Sequence, residues 1–216
     1  MKFLLLLLSF SYLSLCAQTG VGIYKIKWFV DKRLTNRFMM ENTGFGNAGM
    51  GRLEIPTGLQ DSVIKKVTSI VQDELRTDVA ILFPTNSKGK ALQSAAGLEW
   101  VGGLPRGTRK QAIKTEYKEY YVKFKIHVGV NKGLTIGNEA ANYSRLHPYV
   151  RVKMKAYGVD RRLKFRKRSR KSGFNSLGSF EFNVGGVTMT NSNALPIEEI
   201  VNMVFQGLQR FEEKVK

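Results

Sequence analysis

Residues 122–130 read VKFKIHVGV and residues 150–156 read VRVKMKA, and these two stretches determine the expected fold. In both, every second residue is apolar, and the residues between are lysine, arginine, histidine or glycine. Alternation with a period of two predicts β-strands that bury one face and leave the other in water. We therefore expect two long strands in a sheet that is covered on one side only.

Other segments add shorter strands and two long helices. Alternation predicts strands at 24–30, 162–166 and 179–184, and a short apolar run predicts a buried strand at 79–83. A turn is predicted at 158–160 and a loop at 131–142. Three- and four-residue apolar spacing predicts helices at 59–76 and from Pro196 to the end. This order predicts an α+β fold, a mostly antiparallel sheet of about five or six strands with two main helices packed on one face.

The hairpin at 154–168 and the closing amphipathic helix resemble the small α/β domain of envelope proteins related to the TolB N-terminal domain and the curli-secretion lipoprotein. The resemblance covers the order of elements from Ile23 to Phe211 and includes no diagnostic motif. It implies an accessory or assembly role rather than catalysis. It assigns no site residue.

The first residues are typical of a secretory signal peptide. Lys2 precedes an apolar run at residues 3–15, which is too short for a permanent membrane anchor. Cleavage after Ala17 is favoured over lipidation at Cys16, because Leu15 is bulkier than the residue that lipoprotein processing requires. We therefore expect residues 1–17 to be removed and residues 18–216 to form one exported domain, periplasmic or associated with the outer membrane.

The charge of the chain predicts polyanionic partners. Lysine and arginine number 35 against 17 acidic residues, a formal net charge of +18. An exported protein meets lipopolysaccharide phosphates, anionic lipid headgroups, acidic glycans and acidic proteins, whereas nucleic acid is not an expected partner. The alternative is that the surplus charge serves solubility alone. The sequence leaves the oligomeric state open.

The cations between the apolar residues predict one basic sheet surface. If the strands are neighbours, Lys25, Lys27 and His127 extend this surface, and Tyr121 and Tyr157 flank it as stacking aromatics. Like charges opposite each other cost stability, which favours a binding role over an ordinary solvated face that prevents edge aggregation. The candidate anion-binding residues are Lys123, Lys125, Arg151, Lys153, Lys155, Arg162, Lys164 and Arg166. A denser basic run at 161–171 is either part of this surface or a protruding hairpin tip.

No pattern nominates a catalytic residue, a cofactor or a metal. His127 and His147, the two histidines, are not spaced as a metal-ligand pair. Residues 44–49, GFGNAG, fit the dinucleotide fingerprint, but Gly51 and Pro56 interrupt the helix that should follow.

The expected function is therefore non-enzymatic binding of an anionic envelope component or acidic partner. The alternatives are an accessory subunit of an envelope assembly or transport complex, and an envelope-polymer hydrolase.

Overall fold

A computed structural model describes residues 20–35, 38–42, 57–85, 88, 104–138, 140–184 and 187–215. The predicted signal peptide and the glycine motif at 44–49 lie outside these residues. The described part contains three α-helices, α1 (Thr57–Leu75), α2 (Arg109–Thr115) and α3 (Ile197–Val215). Its strands are β1 (Val21–Val30), β2 (Phe38–Asn42), β3 (Val79–Ile81), β4 (Tyr120–Gly137), β5 (Ala141–Gly158), β6 (Leu163–Lys171), β7 (Leu177–Val184) and β8 (Val187–Ser192).

The strands form one mixed sheet in the order β2-β8-β7-β5-β4-β1-β3, with β6 pairing β5 beside the end of β7. The α+β class is confirmed, but the strand number is eight rather than five or six. The sheet is also less antiparallel than predicted, because β1 runs parallel to both β3 and β4. Alternation predicts that a strand forms without specifying the direction of its neighbours.

Strands β4 and β5 form a long hairpin of 18 residues each. The predicted loop at 131–142 is wrong, because pairing continues to Gly137 and Asn142 through an irregularity between Lys132 and Thr135. The side chain of Asn138 stabilises the tight turn, since its Oδ1 accepts hydrogen bonds from the backbone N–H groups of Ala140 and Ala141. The hairpin therefore extends the sheet well beyond the segment with clear alternation.

The two long helices cover one face of the sheet, as predicted. Phe124 of β4 is fully buried and meets Phe211 of α3 edge to face, with ring centroids 5.8 Å apart. Val67 of α1 and Val204 of α3 belong to the same core cluster. We call this side of the sheet the helix face and the other side the open face.

The short helix α2 covers one end of the open face. Ala112 of α2 packs in a small second cluster with Tyr24, Leu82 and Tyr121. Tyr24 lies outside the main core that contains Ile26, because the pairing of β1 with β4 shifts between Ile23 and Lys25, which interrupts the alternation predicted for residues 24–30. Burial, with a smaller contribution from Tyr157, raises the pKa of Tyr24 to about 12.

The apolar residues of β7 do not indicate which side of this strand is buried. Ser179 is fully buried on the helix face opposite Ser144, whereas Phe180 and Phe182 project from the open face and are exposed. Pairing with β5 imposes this phase, because directly opposite residues project from the same side of a sheet. The apolar side of β7 therefore faces water.

Candidate anion-binding surface

Cations line up across four adjacent strands of the open face. We call the eleven positively charged or imidazole side chains in these rows the basic face. Pairing places them in three cross-strand rows: Lys25, Lys123, Lys155 and Arg166; Lys27, Lys125, Lys153 and Arg168; and His127, Arg151 and Arg170, with Phe29 completing the third row on β1.

Desolvation and neighbouring cations lower the pKa values of two lysines of the basic face. Partial burial, followed by the charges of Lys27, Lys155 and Lys125, lowers the pKa of Lys123 below its ordinary value. Desolvation and then neighbouring arginines, Arg151 before Arg166, lower the pKa of Lys153 in the same way. Desolvation is the larger cause of both shifts, and repulsion by the neighbouring cations adds to it.

Carboxylates within the described residues do not neutralise the central cations. Lys123, Lys125, Arg151, Lys153, Lys155, Arg166, Arg168 and Arg170 form no ion pair with any described acidic residue. On the helix side, by contrast, Lys66 bonds to Glu212 at 2.7 Å and Lys167 to Glu74 at 3.0 Å. The acidic residues of the long helices thus neutralise cations on their own side, and these eight cations of the basic face are not neutralised by described carboxylates.

Tyr149 anchors the arginines of the third row. The guanidinium of Arg170 lies 4.0 Å, and that of Arg151 5.3 Å, from the centre of the Tyr149 ring. The ring lies over Gly129, where any Cβ would come within 2.7 Å of Tyr149 Cζ. His127 meets the same ring edge to face at 5.6 Å. Stacking restricts both guanidinium groups and leaves their N–H donors able to bind an anion.

A shallow depression of about 330 Å³ lies where the basic face reaches the edge strand β6. It contains five cations and no carboxylate, and it is lined by Arg151, Lys153, Arg168, Ser169, Arg170 and Lys214. Arginine binds phosphate and carboxylate groups through paired donors, and lysine binds them as a point charge. The depression is therefore a candidate anion site on the basic face.

Two of the eight candidate residues do not belong to the basic face. The pairing of β5 with β6 shifts between Ala156 and Tyr157, which changes the phase of β6 near its start. As a result Lys164 bonds through Nζ to Asp160 at 2.9 Å, and Arg162 lies in the turn, where its backbone N–H donates to Asp160. Arg168 and Arg170 join the basic face instead, because β6 continues to Lys171 in the phase of Arg166, whereas the predicted strand ended at residue 166.

The two predicted flanking aromatics are not available for stacking. Tyr121 is fully buried; its hydroxyl donates to the carbonyl of Glu116 and accepts from the N–H of Lys118. Arg109 of α2 already lies over the ring of Tyr157, 4.4 Å from its centre. Helix α2 covers both residues, and its position could not be inferred from the strand pattern.

His127 links the basic face to pH. Burial first, and then Lys125 and Arg151, lower its pKa below the ordinary 6.5, while Asp31 opposes the shift weakly. Folding thus favours the neutral form of His127. The stability that this residue contributes is fully present above pH 6.5 and is lost as the pH falls below it.

We expect the urea concentration at the unfolding midpoint of the wild type to decrease as the pH is lowered from about 7.5 to about 5.5. His127→Gln should remove much of this decrease. The control variant His147→Gln keeps His127, so its urea midpoint should change with pH as that of the wild type does. If the urea midpoint of His127→Gln changed with pH as much as that of the wild type, a group other than His127 would cause the pH dependence.

The described ranges contain neither a cluster of metal ligands nor a membrane-spanning helix. No group of three or more histidine, cysteine or acidic side chains there could hold a metal ion. Neither long helix is apolar enough over its length to cross a lipid bilayer.

Comparison with known proteins adds little to this description. No protein-family model and no curated protein matches the chain. Among solved structures, it is similar to a crystal structure described as a neuraminyllactose-binding hemagglutinin homolog from Helicobacter pylori. That similarity has a TM-score of 0.38 and 8% sequence identity, over 92% of this chain and 80% of the other. We draw no conclusion from so low a score, and the basic face is interpreted from this chain alone.

Proposed function

We propose that this is an exported, non-enzymatic protein of the cell envelope that binds an anionic envelope component through the basic face. Export follows from the predicted signal peptide at residues 1–17, with cleavage after Ala17. The TolB and curli-secretion resemblance stays a prediction, and its accessory role is compatible with this proposal.

The observation that carries the proposal is the alignment of like charges across β4, β5 and β6, where the cations of the basic face have no carboxylate partner among the described residues. Lysine opposite lysine, as at Lys125 and Lys153, destabilises a sheet. A solvated face that only prevents aggregation needs cations at its edges, whereas these occupy the central strands β4 and β5. A polyanion relieves the repulsion when it binds, which supports a binding role.

The proposal is tested by the salt dependence of binding. Linear polyphosphate, a polymer without sugar or lipid, isolates the charge contribution. The wild-type chain starting at Gln18 should bind polyphosphate at least about tenfold more weakly at roughly 200 mM salt than at roughly 50 mM. The reason is that lysine and arginine side chains displace counterions from the polymer when they bind, and added salt opposes this release. Binding that ignores salt, or no binding at low salt, would contradict the proposal.

The two alternatives predict different results. An accessory subunit of an assembly or transport complex would hold its partner through apolar contacts, so the complex would persist at high salt. A hydrolase acting on envelope polymer would need carboxyl groups beside the bound polymer, whereas the described depression on the basic face is lined by cations and a serine.

A further inference from the structure

The open face carries a second feature, at the opposite end of the β4–β5 hairpin from helix α2. Four large apolar side chains are exposed there, Leu134 at 73%, Ile136 at 63%, Phe180 at 49% and Phe182 at 42%. Together with Tyr143 they form what we call the apolar patch. Clusters of exposed large apolar residues mark interaction sites more often than isolated ones do.

Strand pairing makes the apolar patch continuous. Ile136 lies opposite Tyr143, and Tyr143 lies opposite Phe180, so three neighbouring strands contribute to one row. The rings of Tyr143 and Phe180 are 4.8 Å apart. Phe182 lies two residues along β7 from Phe180, and alternation places both on the same side. Leu134 lies two residues before Ile136, at the irregularity of β4 between Lys132 and Thr135, and is the most exposed of the four.

The apolar patch and the basic face share one side of one sheet. Along β5 every even-numbered residue from Ser144 to Gly158 is buried, so the odd-numbered Tyr143 and Arg151 both project from the open face. They are eight residues apart, about 26 Å along the strand. The exposed Arg145 lies between them, at the border of the apolar patch.

We propose that the partner of the open face is the surface of a lipid bilayer containing anionic lipids, with the apolar patch inserted among the lipid chains and the basic face on the headgroups. This inference rests on the proposed function and names the partner class. A bilayer presents negative charge directly beside an apolar phase, which is the chemistry that the two regions require together.

Two other occupants fit less well. A soluble polyanion would satisfy the basic face and leave the apolar patch in water. A second copy of the chain, with a net charge of +18, would bring lysine and arginine against lysine and arginine if the open faces met. Membrane association also needs two weak signals acting together, and this face supplies both.

The test compares two variants on two probes. Leu134→Ser/Ile136→Ser removes the most exposed part of the apolar patch, and Val159→Ser/Leu163→Ser removes exposed apolar residues from the far end of the hairpin as a matched control. The probes are vesicles of phosphatidylethanolamine with phosphatidylglycerol and, separately, linear polyphosphate. Vesicles of phosphatidylcholine report binding without charge. The chain starting at Gln18 keeps every described residue and lacks the apolar run at 3–15, which would bind lipid by itself.

We expect the wild type to bind anionic vesicles more tightly than neutral ones. Leu134→Ser/Ile136→Ser should weaken vesicle binding at least tenfold and leave polyphosphate binding unchanged, since only vesicles offer an apolar phase. The control variant should match the wild type on both probes. Near-ultraviolet circular dichroism verifies that both variants are folded.

Each other outcome overturns a specific step. Unchanged vesicle binding in Leu134→Ser/Ile136→Ser, or equal losses on both probes, would refute the insertion of the apolar patch and leave the basic face standing. Wild type that binds polyphosphate but not anionic vesicles would refute the lipid partner alone. Wild type that binds neither would refute the proposed function as well. If the variant fails to fold, the fluorescence of Ile136→Trp decides: a blue shift with anionic vesicles supports insertion, and no shift refutes it.

Discussion

The double variant Lys153→Glu/Lys155→Glu should bind linear polyphosphate about thirtyfold more weakly than the wild type. Each basic residue near an anionic surface contributes about 1 kcal/mol, so two lost cations account for about 2 kcal/mol before any repulsion from the new carboxylates. Both residues lie on β5, in the middle of their rows. The measurement is a binding isotherm at low salt.

The same variant should be at least as stable as the wild type. The carboxylate that replaces Lys153 would lie between Lys125 and Arg168, so this row would gain opposite-charge neighbours. The carboxylate that replaces Lys155 would lie between Lys123 and Arg166 in the same way. Such cross-strand pairs contribute about 0.2–1 kcal/mol each. Urea unfolding of the two proteins compares their stabilities.

The matched control is Lys65→Glu/Arg210→Glu, which changes the net charge equally on the exposed side of α1 and α3. It leaves every residue of the basic face in place. A control that weakens binding as much as Lys153→Glu/Lys155→Glu would mean that net charge, not the basic face, is responsible.

Truncation of Phe124 to alanine should cost about 3–5 kcal/mol of the free energy of unfolding. Phe124 is fully buried between Ile26 and Met154 of the neighbouring strands and meets Phe211 of α3. Its removal leaves a cavity where sheet and helix meet. A loss of this size is a large fraction of the stability of a single domain. Urea unfolding monitored by circular dichroism measures it.

Phe180→Ala is the matched control for this prediction. It removes the same side chain from an alternating strand, but Phe180 lies on the open face and is about half exposed. We expect a loss of only about 1 kcal/mol, because Phe180 is half exposed and its main contact is the ring of Tyr143. Similar losses for the two variants would mean that the open face is covered and that the phase assigned to β7 is wrong.

The parts of the fold that sequence reasoning predicted are those in which burial and pattern agree. On β5, Val150, Val152 and Met154 alternate with cations and are all buried, so the phase could be assigned without coordinates. The helices at Thr57–Leu75 and Ile197–Val215 were predicted within a few residues for the same reason. Six of the eight candidate anion-binding residues follow from this phase.

The remaining features of the fold and of the basic face depend on how the strands pair, and the sequence of a single strand does not specify its partner or register. The irregularity between Ala156 and Tyr157 displaces Lys164, whereas Arg168 and Arg170 join the basic face because β6 continues to Lys171, beyond the predicted end at residue 166. Strand β8, Val187–Ser192, was missed because its buried residues, Thr190 and Ser192, are polar. Phe180 and Phe182 resemble core residues, yet the pairing of Ser179 with Ser144 turns them outward. The apolar patch could not have been found without the sheet register.

The central claim is that the basic face itself contacts the polyanion, and the slope of log binding constant against log salt tests it most directly. Each removed contact should reduce the slope by about one unit. We predict that Lys153→Glu/Lys155→Glu lowers the slope for linear polyphosphate by about two units, whereas Lys65→Glu/Arg210→Glu leaves it as in the wild type. Equal slopes in all three proteins would contradict the account.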